Sequence, residues 1–277
     1  MTRTLAPHRG NVAIVIPALN ESLRIRDVVA GALAQCERVI VVDDGSDDDT
    51  VARIADLPAT VIRHPRRMGK GAALRDGFAE ALRQGCVGVL TMDGDGQHRA
   101  SDIPRLLDAA ARHPGDIVIG ARLRKRDRQP WYRRIGNDFG DWGISWGCGY
   151  RIVDTQSGQR FYPAAVAAMT DVPGDGFVFE AQLLISAARR LGSGVVAVPV
   201  ESRYESADSD ECFRKSHFRL FRDLYNITSH VSAQIIGHGQ LLQEYQRTRA
   251  RPPVIDDAEG ATGMPAGLAA TPGQSAS

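Results

Sequence analysis

The feature that most constrains the fold is a series of short, uninterrupted Val- and Ile-rich runs separated by longer segments with helical periodicity. The runs fall at 12–16, 38–42, 60–63, 87–92, 116–119 and 194–200. Because they are continuously apolar rather than alternating, they predict strands buried on both faces, and hence a parallel sheet with crossover helices. Apolar spacing after Gly71 predicts one such helix, and a capping box at 46–49 predicts another through Ile54. The fold class is therefore expected to be α/β with an open sheet.

Length and composition limit the domain organisation and the class of function. The 277 residues suit one large domain, and the net charge of +1 argues against a nucleic-acid partner, which usually requires a basic excess. We expect an N-terminal extension at 1–10, the main domain at 11–230, a C-terminal helix at 231–250 and a disordered tail at 251–277. The four scattered cysteines predict buried thiols in a reducing, cytoplasmic setting, and no apolar run approaches the ~18 residues of a transmembrane helix.

Three acidic segments directly follow apolar runs. They are PALNE at 17–21, DDGS at 43–46 and DGDGQH at 93–98. Ligands of open α/β sheets bind beyond the carboxyl ends of the strands, so we expect these segments to meet at one edge. Asp43, at the end of its strand, is typical of a residue that holds a ribose hydroxyl or a base edge.

Asp93 and Asp95 have more than one interpretation. They fit a solvated turn, for which Asp and Gly are common, or a Mg²⁺ or Mn²⁺ site completed by substrate phosphates. An EF-hand loop is excluded because Pro104 stands where the twelfth-position Glu is required. Lys70, beside a predicted helix start, fits either a diphosphate contact or a plain glycine turn, whereas a Walker A loop is excluded by its spacing.

Five segments in register carry a family resemblance. They are VIPALNE at 15–21, VVDDGSDDDT at 41–50, GKGAALRDGF at 69–78, TMDGDGQH at 91–98 and DTQSGQRFY at 154–162. In this order they resemble the family 2 glycosyltransferases, and most of all the dolichyl-phosphate mannosyltransferase and glucosyltransferase group with its bacterial polyprenyl-phosphate relatives. The resemblance implies a GT-A fold, a GDP- or UDP-sugar donor, a Mg²⁺ or Mn²⁺ cofactor and inverting transfer of a hexose.

The resemblance also implies roles for individual residues. Residues expected to bind the donor are Pro17, Leu19, Glu21, Asp43, Lys70, Asp93, Gly94, Arg122 and Arg203. The metal would be held by Asp93, Asp95 and Gln97, with His98 not expected to contribute. Catalytic roles would fall to Asp95, Arg122 and Glu180, and acceptor contacts to Ser157, Arg160, Ser216 and Arg219.

The acceptor is the point at which the resemblance leaves alternatives. A lipid phosphate at a membrane surface is already an anionic nucleophile, whereas a sugar or small-molecule hydroxyl would need a general base, for which Glu180 is the candidate. A non-catalytic nucleotide-sugar-binding protein and a nucleotidyltransferase remain as other classes. A basic and aromatic helical pattern at 210–246 fits either a helix packed on the core or one at a membrane interface, so the enzyme is expected to be cytoplasmic and possibly peripheral on the membrane.

Overall fold

A computed structural model describes residues 5–123, 131–201 and 241–257. The strands are β1 (Val12–Ala18), β2 (Arg38–Asp43), β3 (Thr60–Arg63), β4 (Gly88–Thr91), β5 (Ile117–Ala121), β6 (Arg160–Pro163), β7 (Val195–Pro199) and β8 (Val254–Ile255). The helices are α1 (Ile25–Gln35), α2 (Lys70–Arg83), α3 (Ile103–Arg112), α4 (Trp131–Cys148), α5 (Ala164–Ala167), α6 (Phe177–Leu191) and α7 (Leu241–Ala250).

The strands form one eight-stranded sheet in the order β3-β2-β1-β4-β6-β5-β7-β8. Only β6 runs antiparallel to its neighbours, β4 and β5, within the described sheet. All six apolar runs are strands, which confirms the prediction of a mostly parallel α/β sheet. The strand β6 was not anticipated, because it is short and contains Arg160 within a polar stretch.

Helices cover both faces of the sheet, and side chains of β1 alternate between two apolar layers. Ala13 and Val15 pack in the layer under α2 and α6, while Ile14 and Ile16 pack in the layer under α1 and α3. Each fully buried Val or Ile side chain contributes about 1.5–3 kcal/mol of hydrophobic stabilisation. Gly77 lets α2 approach β1 closely, because a Cβ there would collide with the side chain of Val15.

Two expectations for secondary structure were wrong. The capping box does not start an α-helix, and only a 3₁₀ turn forms at Ala52–Ile54. Its polar side chains bond to the β1 loop instead: the Ser46 hydroxyl accepts the Asn20 N–H at 2.9 Å, and Asp48 accepts the Ser22 N–H at 3.2 Å.

The disordered tail was expected to begin at residue 251, which is too close to the N-terminus. Residues 251–257 are part of the fold, because β8 pairs in parallel with β7 and the carboxylate of Asp256 accepts from the guanidinium of Arg112 at 2.9 and 3.0 Å. Residues 258–277 lie outside the described part, as does most of the helical pattern predicted at 210–246, of which α7 contains the end. Among the helices of the described ranges, none has the length and apolar character that crossing a membrane requires.

Candidate active site at the carboxyl edge of the sheet

Three acidic loops meet where β1, β2 and β4 end. The strand β1 pairs in parallel with both β2 and β4, so the carboxyl ends of all three lie side by side. The Glu21 N–H donates to the Thr50 hydroxyl at 2.8 Å, which ties the first loop to the second. Gly94 lies against the carbonyl oxygen of Pro17, which brings in the third. The predicted convergence of these loops is confirmed.

Lys70 lies at the centre of this edge, at the first position of α2. Its ammonium is 2.8 Å from Asp93 Oδ1 and 3.2 Å from Oε2 of Glu180, which belongs to the first turn of α6. Burial alone would lower the pKa of Lys70, but the charges of Asp93 and Glu180 outweigh it and raise that pKa. Lys70 is therefore a fixed cation between two carboxylates.

Asp93 and Asp95 have different electrostatic surroundings. Burial would raise the pKa of Asp93, but the charge of Lys70 and the hydrogen bond from His98, whose Nε2 is 3.5 Å from Oδ2, hold that pKa well below its usual range. For Asp95, burial and then the neighbouring charge of Asp93 raise the pKa, because the opposing effects of the Gln97 N–H, His98 and Lys70 are smaller. The Gln97 N–H donates to Asp95 at 3.0 Å, while the Gln97 residue itself is exposed.

These residues fit a hard divalent cation. Carboxylate oxygens are the ligands that Mg²⁺ and Mn²⁺ prefer, and added positive charge would relieve the repulsion at Asp95. In the described ranges no three His, Cys, Asp or Glu side chains cluster as a complete metal site, so water or substrate oxygens would have to complete the coordination. His98, which was not expected to contribute, nevertheless lies against Asp93.

Two residues predicted to contact the acceptor are internal. Ser157 is 0% exposed and its hydroxyl donates to the Gly120 carbonyl at 2.6 Å. Arg160 is 1% exposed; it donates to the Ser157 and Thr155 carbonyls at 2.6 and 2.5 Å and lies 3.9 Å from Glu180. As placed, both side chains support the loop from beneath. Their contact with an acceptor stays a prediction.

Arg122 forms a bidentate pair with Asp154. Its Nε and Nη2 donate to the two carboxylate oxygens at 2.9 and 2.6 Å, and its backbone N–H donates to Oδ2 at 2.7 Å. Asp154 adopts a left-handed φ of 50°, and its backbone N–H donates to Asp141 at 2.8 Å. Burial would raise the pKa of Asp154, but Arg122 lowers it. The predicted contact of Arg122 with donor phosphate therefore stays a prediction, with Asp154 as a competitor.

A cleft of about 300 Å³ opens beside the ends of β2 and β3. It is lined by Gly45, Ser46, Arg63, His64 and Pro65. Its volume is at the lower end of the range for small-molecule sites. Buried Asp43 lies next to it: Oδ1 accepts the Ser46 N–H at 3.2 Å, and Oδ2 is 3.3 Å from Arg63 Nε. This is where the sequence placed the nucleoside, and the contact itself stays a prediction.

Sequence reasoning missed Asp44 and His64 as parts of this site. Asp44 accepts the Met68 and Gly69 N–H groups at 2.7 and 2.8 Å and contacts His64 at 2.8 Å. The only available signal was the second acid of the DDGS segment, because His64 is 20 positions away in the chain. Arg203, Ser216 and Arg219, expected to bind donor or acceptor, lie outside the described residues.

The fold and the acidic edge together define a class. An open sheet of this order with an acidic loop after β4 is the GT-A, or nucleotide-diphospho-sugar transferase, architecture. Glucosyl-3-phosphoglycerate synthase from Mycobacterium tuberculosis, solved with Mn²⁺, UDP and glucosyl-3-phosphoglycerate, has this fold, with a TM-score of 0.57 and 22% identity over 82% of this chain and 79% of that one. The same enzyme has been solved with Mg²⁺ and UDP.

The family follows from the sequence match. The model of glycosyl transferase family 2 matches residues 13–170. Polyprenol monophosphomannose synthase from Mycolicibacterium smegmatis is 31% identical and covers 68% of this chain and 75% of its own length. Undecaprenyl-phosphate mannosyltransferase from Micrococcus luteus is also 31% identical, and the match covers 68% of this chain and 82% of that protein. The chain belongs to glycosyltransferase family 2, so the predicted family and enzyme class are confirmed.

Proposed function

We propose that this chain is a metal-dependent, inverting glycosyltransferase that moves a hexose from a GDP- or UDP-sugar to a polyprenyl phosphate. The observation that carries the proposal is the acidic loop of Asp93 and Asp95, which meets the ammonium of Lys70 at the same edge of the sheet as Asp43. Relatives that act, by their names, on polyprenol and undecaprenyl phosphates support the acceptor class. The enzyme would work at the cytoplasmic face of a membrane as a peripheral protein.

The donor half of the reaction uses the residues at the sheet edge. Asp43 would hold the nucleoside in the cleft, and Asp93, Asp95 and Gln97 would hold Mg²⁺ or Mn²⁺. When bound, such an ion neutralises negative charge on a leaving diphosphate as a Lewis acid. Lys70, 2.8 Å from Asp93, adds a second fixed positive charge beside the same position. Preorganised charges of this kind act without reorganisation during the reaction.

The surroundings of Glu180 favour a phosphate acceptor over a hydroxyl acceptor. Glu180 is 2% exposed, and its carboxylate is 3.2 Å from Lys70 and 3.9 Å from Arg160. Both contacts hold the Glu180 carboxylate inside the protein. A general base must reach the acceptor hydroxyl, which this burial opposes. An anionic phosphate needs no base, only positioning and charge shielding.

The test is transfer of radiolabelled sugar from GDP-mannose, UDP-glucose or UDP-N-acetylglucosamine to undecaprenyl phosphate in detergent. We expect a chloroform-soluble product that requires Mn²⁺ or Mg²⁺ and disappears with EDTA. Asp95→Ala should abolish transfer with an unchanged circular dichroism spectrum. Asp108→Ala, an exposed acid on α3, is the matched control and should retain wild-type activity. Full activity of Asp95→Ala would refute the assigned metal site.

The acceptor is tested separately with Glu180→Gln. For a phosphate acceptor, we expect near-normal labelling of the chloroform-soluble product. Loss of transfer, together with label found only in water-soluble glycoside in the wild type, would instead support the hydroxyl acceptor and a base role for Glu180.

A further inference from the structure

We propose that His64 is a positioning residue for the donor, whose imidazolium ties the wall of the nucleotide cleft to the start of α2. The inference rests on the proposed function, because it takes the cleft beside His64 to hold the nucleoside diphosphate. His64 lines that cleft, yet its side chain is only 4% exposed. Its effect on the donor would therefore be exerted through the residues that it holds.

Both ring nitrogens of His64 face carboxylates. Nδ1 is 2.8 Å from Asp44 Oδ1, and Nε2 is 2.9 Å from Asp76 Oδ2. A neutral imidazole has a single N–H and would leave one nitrogen lone pair against a carboxylate. Only the imidazolium donates to both, so this geometry selects the charged ring. Burial acts to lower the pKa of His64, but hydrogen bonds to Asp44 and Asp76 outweigh it and raise that pKa above its usual 6.5.

The bridge reaches the catalytic edge through Asp44. The same carboxylate accepts the Met68 and Gly69 N–H groups at 2.7 and 2.8 Å. Gly69 is the residue before α2, with a φ of 98°, and the next residue is Lys70, which contacts Asp93. His64 thus holds one end of a continuous series of contacts that fixes the loop 64–69. Through that loop it also positions the ammonium of Lys70 beside Asp93.

The charges around His64 determine how the bridge responds to pH. Asp44 contacts it from the loop after β2, and Asp76 contacts it from α2. Asp43 and the 62% exposed Arg63, the last residue of β3, pair with each other, while Arg66 and Arg67 are exposed in the following loop. The double bridge is complete below pH 6.5. It is lost as pH rises through the raised pKa of His64, and half-exposed Asp76 is then released to water. Donor binding should therefore weaken over that range.

The experiment is calorimetric titration with UDP and with GDP, at saturating Mn²⁺, between pH 6 and pH 9. The wild type should lose about tenfold in affinity across one ionisation above pH 6.5, the effect of one charge-assisted hydrogen bond. His64→Asn, which can still donate to Asp44, should bind weakly with no such ionisation. Asp76→Asn should move the ionisation to lower pH. His113→Asn is the matched control, a histidine paired with Asp256 away from the cleft, and should behave as wild type.

The outcomes separate the two proposals. Absence of binding by either diphosphate at every pH would refute the proposed function. Wild-type binding that does not depend on pH, or an ionisation that persists in His64→Asn, would overturn only the role of His64. Nitrogen NMR of the free protein gives an independent reading: both ring nitrogens of His64 should be protonated at pH 6.5, and a neutral ring at that pH would also overturn it.

Discussion

Gly158 should be required for the position of Asp93. A Cβ at residue 158 would collide with the carboxylate of Asp93, lying 2.6 Å from its Cγ. That carboxylate cannot swing away freely, because Lys70 and His98 hold its two oxygens. Gly158→Ala should therefore displace the carboxylate by roughly 1 Å, and a misplacement of that size in a reacting site costs about 10²-fold in rate.

The cost in stability should be smaller than the cost in activity. Overpacking by one methyl group typically destabilises by about 1–3 kcal/mol, which a domain of this size tolerates. The assay is sugar transfer at saturating donor, with urea denaturation to confirm folding. Gly143→Ala, on α4 with open space around its Cβ, is the matched control and should keep full activity. Activity of Gly158→Ala within twofold of wild type would refute the reasoning.

Three further predictions concern stability and reactivity. Arg160→Met should lower the free energy of unfolding by about 3–5 kcal/mol in urea titrations, because it removes a buried cation that faces the buried carboxylate of Glu180. A loss below about 1 kcal/mol would contradict this. Cys36, Cys86 and Cys148 should resist iodoacetamide at pH 8 until urea is added, as mass spectrometry can show, since all three are buried and burial raises the pKa of Cys148 to about 12. Asp256→Asn should cost about 1 kcal/mol at pH 7. Because the guanidinium of Arg112 lowers the pKa of Asp256, that difference should begin to shrink below pH 3.8 in acid melts and vanish once the pH falls below the lowered pKa; its persistence at still lower pH would point to another cause.

The sheet was predictable because its signal is local. Continuous apolar runs such as that at 12–16 can be satisfied only by burial on both faces, and this marks parallel strands along the chain itself. The strand β6 escaped prediction because its Arg160 is made compatible with burial by carbonyls at Thr155 and Ser157. No local pattern reports such compensation.

The two failed local predictions have a common physical cause. In the capping box at 46–49, Ser46 and Asp48 accept the N–H groups of Asn20 and Ser22, and no α-helix starts there. The polar segment after Arg251 gains order because β7 offers an unpaired edge and Arg112 offers a charge to Asp256. In both cases a partner from elsewhere in the chain outweighed the local preference.

The sequence by itself determined the α/β class, the family and the edge of the sheet at which Asp43, Asp93 and Asp95 lie. It could do so because chemistry at the carboxyl end of a strand follows directly from where an apolar run stops. Only the tertiary structure decided which side chains are paired: Lys70 between Asp93 and Glu180, Arg122 on Asp154, and His64 between two acids. Such pairings join residues up to 110 positions apart, and the distances between them arise only when the helices pack on the sheet.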